Sequence, residues 1–395
     1  MSEGPLEGIR VVEFGNLIAA PYAGMLLADL GAEVVKVEPP GGDLGRGFGP
    51  HIGGESVFFM AVNRGKLSVA VDPKHPRARP WLDRLVAGAD VVLSNLRGGA
   101  MERMGYDEAS LRRANPAVVY AVVTAFGPEG PHAGRAGIDV VFQAESGMVS
   151  VTGHPGDPPQ KTATTIGDYV AATNAALVVC AALVERNRTG RGRRVDLSLR
   201  DGLLAVQSGW WALYFAAGRQ PERTGTASPY LAPNQIFETA DGHLALAIVS
   251  DRHFRILCEH LRRPDLAERF GDNRTRMRHR EELAGELEEE FRAFPAADWV
   301  ERLGEAGLPV GRVLDFPAVE DDPQVVHNEM ILEMEHPVAG KVRSVGSPLR
   351  VDGVPARAAI PSPTLGQHTR PILECLGASP QEIDRLVQEG AVIVS

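Results

Sequence analysis

Cysteine is scarce here: Cys180, Cys258 and Cys375 are the only three in 395 residues, far apart and with no CxxC pair. An odd, scattered set builds neither a disulfide framework nor a zinc site, and it fits a reducing, cytoplasmic setting. Positive charge is also short. Lys and Arg number 41 against 51 Asp and Glu, a formal net charge of -10 that argues against nucleic acid as the main partner. The amino terminus, MSEGPLEGIRVVEFG, has no basic segment leading into an apolar run of signal length. No run elsewhere reads as long enough to span a bilayer, so no membrane is expected. Nucleotide signatures are missing too. The turn after the first expected strand reads Gly15-Asn16-Leu17-Ile18-Ala19-Ala20, not GxGxxG, and no GxxxxGKS or GxxxxGKT occurs. A conventional dinucleotide site, and with it an NAD-dependent dehydrogenase, is disfavoured.

What is present is a chain with 44% hydrophobic and 23% charged residues, ordinary for a globular enzyme and long enough for two domains. Ile9 to Phe14 reads as a buried strand, Pro21 opens a helix that Gly31 closes, and Glu33 to Glu38 reads as a second strand. The pattern repeats through Leu67 to Val71, Pro80 to Ala87, Val91 to Ser94 and Val118 to Thr124. Alternation of this kind predicts a parallel sheet in an α/β, Rossmann-like domain. The glycines of Gly41 to Gly54 lead into no convincing helix and read as a mobile loop. One long helix is expected over Asp201 to Ala217. Beyond it, Pro229, Pro233 and Asp241-Gly242 flank short strands, and helices follow, which predicts a second, smaller α/β domain. Glu281, Glu282, Glu286, Glu288, Glu289 and Glu290 flank Leu283, Leu287 and Phe291 at helical spacing and read as a solvated surface, not a metal cluster.

The stretch Thr164 to Asp201 places one carboxylate, Asp168, at the mouth of an apolar helix expected from Tyr169 to about Asn187. Two readings stand open. An Asp directly before such a helix is an N-cap that accepts orphan N–H groups, or it is a nucleophile held in an apolar site.

Several separated stretches together resemble the class III CoA-transferases, the formyl-CoA transferase and carnitine dehydratase (CaiB/BaiF) family. They are LEGIRVVEFGNLIAAPYAGMLLADLGAEVVKVEPPGGD, NRGKLSVAVD, ADVVLSNLRGGAMERMGY, GIDVVFQAESG, the IGD segment with GRGRRVDLSL, PNQIFETADGHLALAIVSDRHF with GLPVGRV, and LGQHTRPILECLG. The resemblance implies a large Rossmann-like CoA-binding domain over 1–220, a small α/β domain over 221–335 and a return to the large domain over 336–395. It also implies an interlocked homodimer. It makes Asp168 the acyl-accepting nucleophile, with coenzyme A as substrate and no resident cofactor or metal. Val71, Asp72, Pro73, Lys74, Asn95, Leu96, Arg97 and Arg103 become candidates for holding CoA; taken singly and without the resemblance, each cation among them reads first as a solvated surface charge. Ile18 and Ala19 match positions near the pantetheine and thioester, where formyl-CoA transferases carry a Gln before the Ala. Asp139 matches an acidic position that orients the reacting groups, or it caps the helix before VVFQAESG.

Four departures bear on the acyl group, the CoA contacts and the cover of the site. Ile18 removes a polar contact and indicates an acyl group less polar than formyl or oxalyl. Pro39 and Ala136 stand where some members carry cations, and Val249-Ser250-Asp251 replaces a glycine-rich covering loop. Succinyl-CoA as donor is a family-level expectation. The related α-methylacyl-CoA racemases use a His before the Asp, in GHD, to move a proton. Gly137-Ile138-Asp139 has no such His, so racemase-like epimerisation is disfavoured. A catalytically inactive CoA-binding protein is the remaining alternative.

Overall fold

The computed structural model describes residues 4–358 and 360–395. Strand β1 (Arg10–Phe14), helix α1 (Ala19–Asp29) and strand β2 (Glu33–Glu38) form the first βαβ unit. Then come β3 (Lys66–Val71), α2 (Arg79–Ala87), β4 (Val91–Ser94), β5 (Val119–Thr124), α3 (Asp139–Glu145), α4 (Ile166–Thr189), β6 (Arg194–Ser198) and α5 (Leu199–Val206). The six strands are parallel in the order β3-β2-β1-β4-β5-β6, and the terminal strand Val392–Ile393 adds a seventh, antiparallel outside β3. Core strands such as β1 and β4 are covered on both faces, which is why they read as unbroken Val and Leu runs. Chain order reverses between β1 and β4. In open α/β sheets the crevice at the carboxyl ends beside that switch point receives the ligand.

Helix α4 is longer than the sequence pattern indicates, beginning at Ile166 and closing at Gly190, whose φ of 69° is the left-handed cap a side chain resists. Ala171, Ala172, Ala175, Ala176, Val179, Ala182 and Leu183 form its buried face, packed with Ala20, Ala23 and Leu27 of α1 and with β5 in one core. Small residues at this spacing let the two helices approach closely. By length and hydropathy α4 is nonetheless long and apolar enough to cross a membrane, which corrects the expectation that no such run exists. Its inner face is the core of this unit.

Two further expectations change. Gly41 to Gly54 is not an open loop: it forms a 3-10 turn, Leu44–Gly47, and a hairpin pairing His51–Ile52 with Glu55–Ser56. Side chains impose this order. Asp43 accepts from the Gly45 and Leu17 N–H groups, and Arg46 grips Glu38 through two bonds of 2.7 and 2.8 Å while lying 3.7 Å over the Phe59 ring. The single helix expected over Asp201 to Ala217 is two, Leu199–Val206 and Ser208–Ala217. Buried Gln207 separates them, its amide donating to Leu203 O and Ser146 O.

Two compact units result. One holds residues through Met148, Thr162–Trp211 and Pro323–Ser395; the other holds Val149–Lys161 and Ala212–Asp322. The second is a three-stranded antiparallel sheet with helices packed over Phe237, Leu244, Phe254, Leu287, Phe291 and Trp299. Of its surface glutamates, Glu282 and Glu286 pair with Arg269, and Glu286 and Glu290 with Arg263.

Candidate active site

The turn after β1 meets the turn after β4 at the switch point. Asn16 and Asn95 exchange two hydrogen bonds of 2.9 Å, Asn16 N to Asn95 Oδ1 and Asn95 Nδ2 to Asn16 O. Leu17 sits at φ 64°, a left-handed conformation that a leucine adopts only when its surroundings enforce it. Ile18 is buried and caps α1, whose first helical residues, Ala19 and Ala20, have N–H groups with no intrahelical acceptor. The helix starts two residues before Pro21, so the proline stands inside the first turn.

Asp168 is the third residue of α4 and is not its cap. Thr165 holds that position, and no side chain of its own turn caps the helix. Asp139 does so from α3: its Oδ1 accepts from Gly167 N at 2.8 Å, and its Oδ2 accepts from Gln143 Nε2. Gln143 in turn accepts from Thr162 N at 2.9 Å, so a buried Asp–Gln pair fixes the chain leading into α4. The cap reading thus applies to Asp139, but across space to another helix.

The Asp168 carboxylate is left half-buried, with no hydrogen-bond partner among the described residues. Burial pushes its pKa up to about 7, and the neighbouring Asp139 charge adds to the rise. These effects outweigh the help that the helix N-terminus gives an anion. The folded pKa lies above the unfolded value of about 3.9, so stability declines as pH rises from about 4 to 7 and stays lower above that. Asp168→Asn removes the penalty. We expect it to exceed the wild type in unfolding free energy at pH 8, by on the order of 1–2 kcal/mol, and to match it near pH 4. Urea unfolding at the two pH values measures this.

The remaining predicted residues fall into separate places. The ring of Tyr22, whose N–H donates to Ile18 O, meets that of Tyr169 edge-on at 4.8 Å, linking the Ile18–Ala19 turn to the residue beside Asp168. Asn95 and Leu96 lie at the same crevice. Val71 ends β3 and Asp72, Pro73 and Lys74 follow it, three strand spacings from β4, or roughly 14 Å. There Asp72 Oδ1 accepts from Lys74 N, and Asp72 N donates to Ala391 O. Lys74, Arg97 and Arg103 are exposed and have no ion-pair partner among the described residues, which leaves three cations at the carboxyl edge free for an anion.

Beneath the turn lies a charged cluster that motif spacing did not reveal. Glu13, Lys36 and Lys66 are fully buried. Lys36 Nζ is 2.9 Å from Glu13 Oε1, 2.8 Å from Asp43 Oδ2 and 2.8 Å from Gly15 O. Lys66 Nζ is 2.8 Å from Glu13 Oε2, 2.8 Å from Asn63 Oδ1 and 2.6 Å from Pro21 O. Burial alone would raise Glu13, but the two ammonium groups hold it below the usual range, and Lys36 does the same for Asp43. Burial pushes Lys66 down to about 8 against the pull of Glu13. Lys36 is driven upward, its carboxylates overcoming its burial. The signal in the sequence is a charge inside each of RVVEF, EVVKVE and KLSVAV: strands covered on both faces leave no water for it, so each charge needs a partner. The register places Glu13 directly opposite Lys36.

A cavity of about 820 Å³ lined by Arg112, Pro116, Thr189, Arg191, Gly192 and Arg193 lies at the opposite, amino-terminal edge of the sheet. Glu108 and Glu185 pair with two of its arginines. It holds none of the groups described above.

Comparison with known proteins agrees with this geometry. Residues 6–369 match the family model for CoA-transferase family III. Succinyl-CoA:glutarate CoA-transferase of Mus musculus is 34% identical over 98% of this chain and 90% of its own length. Succinate--glutarate CoA-transferase of Agrobacterium fabrum is 35% identical over 93% and 95%. Acetyl-CoA:oxalate CoA-transferase of Acetobacter aceti is 34% identical over 89% and 90%. The crystal structure of a CaiB/BaiF family protein from Brucella suis superposes with a TM-score of 0.85 at 34% identity, covering 95% of this chain and all of that one. The chain belongs to CoA-transferase family III and is a class III CoA-transferase enzyme.

Proposed function

We propose that this enzyme moves CoA from an acyl-CoA to a dicarboxylic acid, with Asp168 as the covalent acceptor. The observation that supports this is the lone, half-buried Asp168 carboxylate, whose raised basicity makes it a stronger nucleophile than a surface aspartate. Asp168 attacks the thioester carbonyl, forming a mixed anhydride and expelling CoA thiolate. The thiolate attacks the aspartyl carbonyl, which releases the donor acid and leaves an Asp168–CoA thioester. The acceptor carboxylate attacks that thioester, again giving an anhydride and thiolate. Attack of the thiolate on the acceptor's carbonyl completes the new acyl-CoA and restores Asp168. One thioester replaces another, so no ATP is consumed. Lys74, Arg97 and Arg103 are the cations we assign to the phosphates of CoA, and Ile18, Ala19, Asn95 and Leu96 to its thiol end.

The dicarboxylate class comes from the relatives' substrates, and Ile18 favours an acid with an apolar stretch between or beside its carboxylates. The test is transfer from succinyl-CoA to labelled glutarate, oxalate, mesaconate and a monocarboxylate control, with products resolved by mass spectrometry. Transfer to a C4–C6 dicarboxylate at least tenfold faster than to the control is expected. Equal rates, or hydrolysis without transfer, would discard the reading. Acylation requires ionised Asp168, so its rate rises with pH through about 7. Asp139→Asn removes a like charge and moves that midpoint toward acid, which stopped-flow release of CoA reads directly.

We also propose a homodimer. Leu177 and Val184, one face of α4, are 68% and 62% exposed, and Phe215 is 72% exposed. Large apolar side chains on helices are covered in this way by a second copy. Sedimentation velocity decides it.

A further inference from the structure

We propose that the buried Glu13–Lys36–Lys66–Asp43 cluster is a positioning device for the reaction, clamping the Gly15–Pro21 turn in the one conformation that presents the thioester to Asp168. This rests on the function proposed above.

The clamp is readable bond by bond. Lys36 holds Gly15 O where the turn begins, Lys66 holds Pro21 O where it ends, and Asp43 accepts from Leu17 N at 3.1 Å. Glu13 joins the two ammonium groups, one oxygen to each. Asn95 holds Asn16 from the other side. Gly15, Asn16, Leu17 and Pro21 are thus pinned through their backbone by Lys36 of β2, Lys66 of β3, Asp43 in the loop after β2 and Asn95 just after β4, and Leu17 is held at its unfavourable positive φ. Fit around the cluster is tight: a Cβ on Gly24 of α1 would lie 2.2 Å from Glu13 Oε2. Apolar side chains fill such a space at no loss of stability, and often at a gain, so two buried cations and two carboxylates here are explained by the geometry they enforce. A misplacement of about 1 Å at a reacting group costs on the order of a hundredfold in rate.

The test compares the wild type with Lys66→Met and with the charge-balanced Glu13→Gln/Lys66→Met pair, which keeps neutrality if the single change does not fold. Two readouts are taken: amide exchange of the peptide spanning residues 15–22, and kcat and KM for acyl-CoA. The expected result is exchange of that peptide at least tenfold faster with β5 peptides unchanged. With it, kcat falls 10- to 100-fold while KM stays within threefold. A third reading uses the wild type alone. Lys66 faces Glu13, Asn63 and Pro21 O, with Lys36 and Asp43 nearby. Its loss of a proton near pH 8 weakens the clamp, so kcat turns down above that pH, and the downturn is absent in the double variant. Unchanged exchange, or faster exchange with kcat within twofold, or a lowered unfolding midpoint with kcat intact, would overturn the proposal. If the wild type transfers no CoA to any acid, the proposed function fails, and the exchange data alone still decide whether the cluster holds the turn.

Discussion

Asp168→Ala leaves a folded protein that forms no covalent adduct with any acyl-CoA, and its turnover falls at least 10⁴-fold. The expected size follows from the mechanism. In the mechanism proposed above both intermediates are bonds to this one carboxylate, so nothing remains for a neighbouring group to take over. Asp139 is no substitute: its two oxygens are already committed to Gly167 N and Gln143. CoA affinity should stay within a few fold, because the cations we assign to its phosphates, Lys74, Arg97 and Arg103, lie on other elements. Peptide mass spectrometry after a hydroxylamine quench is the measurement. A hydroxamate on the peptide beginning near Thr164 in the wild type, absent in the variant, is the expected pair of results. An adduct that persists in Asp168→Ala would move the nucleophile to another residue and sink the mechanism.

Lys36→Met carries the largest expected effect on stability. Among the described residues Lys36 is the one cation in contact with both Glu13 and Asp43, and its loss strands buried carboxylate charge beside Lys66. Breaking a buried ion pair from one side costs about 3–5 kcal/mol, because the surviving partner keeps its desolvation penalty. That is a large part of the 5–15 kcal/mol by which domains are typically stable. Arg292, exposed and paired with Glu238 and Glu288, is the contrast: its replacement should barely move the midpoint. Urea unfolding of the two variants beside the wild type checks both. Glu13, Glu38 and Asp43 are all held below their ordinary pKa. Their contribution is therefore complete above about pH 4.5 and is lost as pH falls through the lowered values. Lys36→Met weakens that hold, so its acid unfolding should begin at higher pH than in the wild type. A midpoint shift under 1 kcal/mol would show that water or a rearranged Lys66 compensates.

Local pattern was sufficient for much of this molecule. Val-rich runs of five or six residues separated by helices announce a parallel sheet, because only strands covered on both faces tolerate unbroken apolar sequence. Glu33–Glu38 folds over the residues its pattern indicated. The family, too, was legible, since its motifs are local strings. Asp168 could be picked out as one carboxylate at an apolar helix start, but periodicity could not separate a cap from a nucleophile. That choice depends on whether the helix's orphan N–H groups are met from elsewhere, and Asp139, 28 positions away from Gly167, meets one.

What the chain determined by itself was therefore whatever rests on neighbours in sequence: the strand and helix periods, the isolated Asp168 and the scarcity of cysteine. Tertiary structure alone decided the rest. It ordered Gly41 to Gly54 through Asp43 and Arg46, split a predicted helix at Gln207, and paired Glu13 with Lys36 and Lys66. The first and last depend on charges brought together across the chain, the second on an amide buried against Ser146, and all draw their energies from exclusion of water, which no local pattern encodes. The raised pKa of Asp168 has the same origin: its partners are an absence of solvent and a second carboxylate, both supplied by packing.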